Sequence, residues 1–220
     1  GVCDPDDLSY DASFVCNDKL IGAWEFAYDS ANPSLDYPTP EDENGHGSHT
    51  ASTAAGNIVN ATLIAPTTDI SRLISGVAPH ANIIAYDVCN NSGCPFVATT
   101  AAVEQAVLDG VDVINYSISG GEDPYNETTD LAFLEAYNAG IFISTSAGND
   151  GPESETVAHR GPWVSASAAA THHRTLRNTL TGLTSDDASL PNITGLGFTS
   201  GYGPAPILYA GNYGDALCAP

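Results

Sequence analysis

Short runs of Val, Ile, Leu and Ala alternate along this chain with stretches in which apolar residues return every three to four positions. The runs predict strands at 20–26, 81–88, 111–117, 141–146 and 163–169. The periodic stretches predict helices at 97–109, stopped by Gly110, and at 131–139, stopped by Gly140. A further helix is expected at 47–56, whose Ala, Ser and Thr content suits burial close against its neighbours. Near-continuous apolar strands separated by helices imply an α/β fold, a mostly parallel sheet with helices on both faces and right-handed crossovers. After about residue 177 the pattern changes to Gly, Thr, Pro and Tyr with short alternating apolar pieces. Residues 1–177 therefore read as one α/β domain and residues 178–220 as a β-rich segment of another unit.

A chain of 220 residues buries a sizeable core. With 5 Lys+Arg against 27 Asp+Glu, its net charge is −22, which excludes nucleic acid and anionic membrane surfaces as partners. The dispersed acid reads as a solvated, self-repelling surface, more than as adaptation to a saline exterior. No apolar run reaches the ~20 residues of a membrane span. The chain has neither an initiator Met nor a signal peptide, and is expected to be a mature or excised piece. Of five Cys, Cys3 and Cys16 flank a polar loop, and Cys89 and Cys94 flank the turn sequence Asn-Asn-Ser-Gly. Zinc fails on spacing, so two disulfides and an oxidising compartment are expected, with Cys218 left over. Sequons at Asn60, Asn126 and Asn192 are compatible with a secreted, extracellular glycoprotein. A monomer without cofactor is expected. Calcium binding is not readable, because no recognisable ligand loop is present.

Two segments carry groups suited to acyl transfer. His46 lies between two glycines at the start of the small-residue helix and is the candidate general base. Asn149 follows an apolar strand in a Gly-Asn turn and is the candidate oxyanion donor. His49 stands one helical turn on, but a metal-dependent hydrolase would need a Glu directly after His46, where Gly47 stands. His49 reads as a structural hydrogen-bonder, and His172 and His173 as surface residues. Ser117, Ile118, Ser119 and Gly120 end a strand whose backbone could pair with an extended peptide. Both Asn149 and this segment follow strand ends, where ligands bind in such sheets.

These residues resemble the subtilisin-like serine proteases (subtilases), specifically the secreted branch with a protease-associated domain inserted between the His and Ser of the triad. Gly45-His-Gly-Ser-His-Thr-Ala-Ser-Thr-Ala-Ala-Gly56 is similar to that branch's catalytic-His motif, and Ser146-Ala-Gly-Asn-Asp-Gly-Pro152 to its oxyanion motif. Asn115-Tyr-Ser-Ile-Ser-Gly120, Cys16-Asn-Asp-Lys-Leu-Ile-Gly-Ala and Gly76-Val-Ala-Pro-His-Ala also match. The resemblance implies His46 as base and Asn149 as oxyanion donor. It makes Ser117–Gly120 and Ser146, Ala147 and Gly148 the walls of the pocket before the scissile bond. The substrate would be an extended polypeptide. The similarity runs through about residue 175, and 205–220 is similar to the opening of the inserted domain.

Two motifs of the family do not occur in these residues. No Asp-Ser/Thr-Gly is present, and Asp29-Ser30 is followed by Ala31 after the wrong strand. The nucleophile motif Gly-Thr-Ser-Met-Ala is absent, and the chain contains no Met. The resemblance implies that the Asp lies two residues before Gly1, so the chain reads as truncated at both ends. It would keep base and oxyanion donor, lack nucleophile and orienting carboxylate, and be inactive alone. The alternative is a catalytically dead homologue acting as a binding or scaffold protein.

Overall fold

A computed structural model describes residues 1–220 except 35, 37, 66–67, 174, 187, 198–200 and 215–220. In chain order the elements are β1 (Leu20–Glu25), α1 (His46–Ala55), β2 (Val59–Ala65), β3 (Thr68–Ile74), β4 (Ile83–Asp87), α2 (Phe96–Asp109), β5 (Val113–Tyr116), α3 (Thr128–Asn138), β6 (Phe142–Ser146) and β7 (Ser165–Ser167). Then come β8 (Arg177–Leu180), β9 (Thr184–Ser185), β10 (Ala188–Ser189) and β11 (Ile193–Leu196). The chain forms two compact units, one of Gly1–Val59 and Ser75–Thr171, the other of Asn60–Ile74 and His172–Pro220.

The first unit is α/β with parallel strand pairing throughout. β1 pairs with β4, Glu25 opposite Asp87, and β6 lies between β5 and β7. One continuous sheet was the expectation. Among the described residues it is two parallel pieces, because β4 and β5 each use a single edge. The core gathers Val103 of α2, Phe133 and Ala136 of α3, Ile141, Ile143 of β6, and Trp163. β7 is three residues long, and Trp163 ahead of it is a core side chain whose Nε1–H donates to the Asp130 carbonyl at 2.9 Å. α2 ends at Gly110, which is left-handed at φ 69° as a helix stop requires. α3 begins three residues before the apolar pattern does. Its first turn is buried through Thr129 and Asp130, and Thr129 Oγ1 bonds Thr99 Oγ1 of α2 at 2.8 Å.

α1 differs from expectation, since Ala55 is its one buried residue. Its small side chains admit close approach on the last turn alone. There the amides of Gly76, Val77 and Ala78 donate to the carbonyls of Gly56, Thr53 and Ala54 at 2.9, 3.0 and 2.8 Å. A Cβ on Gly76 would stand 2.4 Å from the Gly56 nitrogen, so only glycine permits this contact. Disulfides join Cys3 to Cys16 and Cys89 to Cys94. Cys218 lies outside the described residues.

The second unit consists of two-stranded sheets, β2 with β3, β9 with β10 and β11 with β8. The last two are antiparallel, and their residues are exposed throughout. The sequence pattern does not predict β2 and β3. Leu63, Ile64 and Leu73 are 60–77% exposed, so no buried face imposes a period of two.

Phe133 is fully buried at the centre of the first unit's core. Phe133→Ala should cost about 3–5 kcal/mol, read as a lower urea midpoint by Trp fluorescence, Trp163 being its neighbour in the core.

Candidate functional site

His46 is the first residue of α1 and its side chain is exposed. The preceding Gly45 is left-handed at φ 89° and offers no side-chain cap. Asp42 supplies the cap from a distance. Its Oδ1 accepts the amides of Asn44 and Gly45 at 3.1 and 2.7 Å, and its Oδ2 accepts the amide of Ser48 at 2.6 Å. Burial opposes the charge on Asp42, but the bonds from Ser48, Gly45 and Asn44 outweigh it and hold its pKa below the ordinary value. The orientation of the turn that carries His46 thus rests on one carboxylate at the helix N-terminus, where negative charge is favoured.

β5 and β6 run parallel, with Tyr116 opposite Thr145, so both chains leave the sheet at the same end. Ser117–Gly120 continue β5, and Ala147, Gly148 and Asn149 continue β6. Ser146 Oγ donates to the Ile118 carbonyl at 3.2 Å and ties the two together. Gly148 lies beside Ser119, where an added Cβ would make ordinary contact with Ser119 Oγ at 3.6 Å, and its φ of 81° is what favours glycine there. A third strand of backbone stitches both from behind. The amide of Ala158 donates to Ala147 O at 3.0 Å, His159 to Gly120 O at 2.9 Å and Arg160 to Gly121 O at 3.3 Å. Asn149 is exposed in the bend that follows. Of the seven residues expected to line a substrate pocket, Ile118, Gly120, Ser146 and Ala147 are joined by hydrogen bonds, directly or through the backbone of 158–160 and the His159 ring. Among the described residues no hydrogen bond joins α1, which carries His46, to this network.

His49 engages through its carbonyl, which accepts the hydroxyls of Ser52 and Thr53 at 3.1 and 2.8 Å. Its expected role as a side-chain hydrogen-bonder is not seen among the described residues. His172 and His173 are exposed. The sequence reading missed Asp42, Asp130 and His159. The last two are buried and paired, His159 Nδ1 to Asp130 Oδ2 at 3.1 Å. A lone His in a loop ahead of Pro-Trp gives no periodic signal of burial. The sequence also gave no sign that Glu25, Asp36 and Asp87 converge at the ends of β1 and β4, with carboxylate oxygens within 4.8 Å of one another. Such an oxygen set suits a hard cation, and protonation relieves the same repulsion. Burial first, then the charges of Asp87 and Asp36, push Glu25 up to about 7 against the amide bonds of Tyr28 and Ala27. Burial first, then the charges of Asp36 and Asp42, push Asp87 up to about 6.

A family model described as "Subtilase family" matches residues 17–198. Subtilisin-like protease SBT2.3 of Arabidopsis thaliana is 40% identical over 177 residues, 76% of this chain and 21% of that protein. Subtilisin-like protease SBT1.6 of the same plant is 41% identical over 171 residues, 72% of this chain and 22% of that protein. The chain spans about a fifth of the length of the curated relatives it matches. Among solved structures, sphericase is similar at 25% identity and a TM-score of 0.47, over 81% of this chain and 51% of that one.

Two outcomes follow from these contacts. Asp42→Ala should lower stability by about 1 kcal/mol, the usual cost of a lost N-cap, and circular dichroism should read it as a Tm lower by roughly 2–4 °C. Glu25 and Asp87 have folded pKa values above the ordinary carboxylate range, so their protonated forms favour folding. That stability is complete below about pH 4 and is lost as pH rises through about 6 and about 7. Glu25→Gln keeps the acceptor for Ala27 and Tyr28 and removes the charge. It should leave Tm unchanged at pH 4 and raise it at pH 8, where the unfolding free energy gains about 1 kcal/mol once solvent screening is allowed for.

Proposed function

Because the chain belongs to the subtilase family, we propose that it is a segment of a secreted serine endopeptidase that cleaves extended polypeptides through an acyl-enzyme. His46 takes the proton from a serine hydroxyl as that oxygen attacks the scissile carbonyl carbon. Asn149 donates its side-chain N–H to the oxygen that becomes negative. His46 then returns the proton to the leaving amine, and water repeats the sequence to release the acyl group. The substrate chain lies along Ser117–Gly120, opposite Ser146, Ala147 and Gly148.

The observation that carries this reading is the hydrogen-bonded pairing of those two segments at the end where β5 and β6 leave the sheet. A peptide laid against them meets ordered backbone on one side, and the bend bearing Asn149 follows directly. Two disulfides suit an oxidising compartment, and the sequon residues Asn60, Asn126 and Asn192 are exposed and open to glycosylation. In this reading residues 178–220 open an inserted β-rich domain. The second reading is a catalytically dead homologue that acts as a binder.

A serine-directed fluorophosphonate separates the two. Expressed with the coding sequence that flanks it, the protein should be labelled, and His46→Ala should abolish labelling. Asn149→Ala should lower turnover of a peptide substrate by about 10²–10³-fold, the loss measured for such donors in subtilisin-type enzymes. Residues 1–220 alone should not be labelled. A flanked protein that resists labelling supports the binder, and labelling retained in His46→Ala removes His46 as the base.

A further inference from the structure

The back of the peptide-pairing segment is held by a buried pair that the reaction itself does not use. His159 is 3% exposed and Asp130 is 1% exposed. His159 Nδ1 contacts Asp130 Oδ2 at 3.1 Å, and its Nε2 contacts the Ile118 carbonyl at 2.9 Å. A carboxylate and a carbonyl are both acceptors, so a proton is needed along each line. An imidazolium facing a carboxylate supplies both. The ring is fixed edge-on against Tyr116 and Phe133, with centroids 5.3 and 5.8 Å away. The charged groups facing it are Asp130 and Glu127. Burial disfavours the cation, but the bonds to Asp130 and Ile118 and these two charges outweigh it, and the pKa of His159 is raised.

The contacts have a direction. Ile118 O takes His159 Nε2 and Ser146 Oγ, and Gly120 O takes the His159 amide at 2.9 Å. Two carbonyls spaced two residues apart thus face the same side. Gly120 departs from extended backbone at φ 139°. Between β5 and that turn the backbones of Ser117 and Ser119 make no hydrogen bond among the described residues, so they are open to a partner chain. Gly121 lets the chain pass the pair. At φ 69°, a Cβ there would stand 2.1 Å from Asp130 Oδ2 and 2.5 Å from His159 Nδ1.

Building on the peptidase reading, we propose that His159 and Asp130 are positioning residues. They clamp the carbonyl of Ile118 so that the backbone edge at Ser117 and Ser119 stays open and able to pair with the peptide on the amino side of the scissile bond. The clamp governs affinity for chains long enough to reach that edge and leaves the chemistry at the scissile carbonyl alone.

Binding tests this without requiring turnover. The probe is a pool of fluorescein-labelled hexapeptides with a reduced scissile amide, set against labelled dipeptides, on the protein expressed with its flanking sequence. His159→Gln and Gly121→Ala should each weaken the hexapeptides roughly tenfold, the loss expected for one charge-assisted bond, and leave the dipeptides unchanged. Equal weakening of both lengths, or of neither, overturns the proposal. Where the labelled protein turns over peptide esters, the same variants should raise KM for long substrates with kcat retained, and an equal fall in kcat for short ones overturns it. Ring N–H correlations in the NMR spectrum of the wild-type protein give a reading independent of variant folding. His159 Nε2 should carry a proton at neutral pH, and an unprotonated Nε2 overturns the clamp. His46→Ala serves as the separate control. Its failure to abolish fluorophosphonate labelling removes the base assignment and leaves the clamp results standing.

Discussion

The carbonyl oxygen of Ile118 is the point on which the functional end of this molecule depends. It accepts from His159 of the loop after β6 and from Ser146 of β6 itself, while the Ile118 side chain packs beside Val88, Ala98 and Ala102. One residue therefore fixes the end of β5 to the end of β6 and to the base of α2. Bonds of this kind are strengthened where water is excluded, and leaving either partner unpaired there is costly. The arrangement is rigid because each member holds more than one other. Asp130 receives the His159 imidazole through its side chain and the Trp163 indole through its carbonyl. Packing in the core and geometry at the surface are consequently one problem.

Much of the architecture was legible where burial follows a period. α2 presents Ala98, Ala102 and Ala106 on one stripe, with Thr99 and Val103 beside it, and a left-handed glycine ends it as the sequence predicts. The ends of β5 and β6 were legible because their apolar runs stop at glycine and small polar residues. The burial of α1 was misread. Small residues permit close packing on any face, and only the turn next to Gly76 uses that freedom. The sheet of β2 and β3 has no buried face among the described residues to impose a pattern. His159 and Asp130 were illegible for another reason. A polar pair is recognised by the meeting of its members in space, and these stand 29 residues apart.

The acidity of the chain is handled in a consistent way. With 5 Lys+Arg for 27 Asp+Glu, ion pairs cannot neutralise the carboxylates. Neutral hydrogen-bond donors stabilise several of these charges instead. Asp109, at the unfavourable C-terminal end of α2, accepts Trp24 Nε1, Tyr86 OH and Gln105 Nε2 at 2.9, 2.6 and 2.8 Å, linking the helix to β1 and β4. Asp42 takes three amides at the start of α1. Bonds of this type are less sensitive to salt than surface ion pairs, whose attraction is screened within about 10 Å at 0.1 M. Glu25, Asp36 and Asp87 depart from the pattern, because there carboxylates meet one another.

The same division explains why the groups assigned to chemistry are exposed while those assigned to support are buried. His46 and Asn149 stand at a helix start and in a bend, where a side chain can reach a substrate. Neither element is held by a large apolar contact of its own. α1 buries Ala55 alone, and the bend at Asn149 follows two constraints, the left-handed Gly148 at φ 81° and the Ala147 carbonyl bound by the Ala158 amide. Precision in such places has to come from backbone hydrogen bonds anchored further in. For the bend that anchor is the backbone of 158–160, continuous with the Ile118 junction, and for α1 it is Asp42. The two anchors are separate within the described residues, so a change at one should leave the other's geometry intact. The base and the oxyanion donor are then independently adjustable parts of one proposed site.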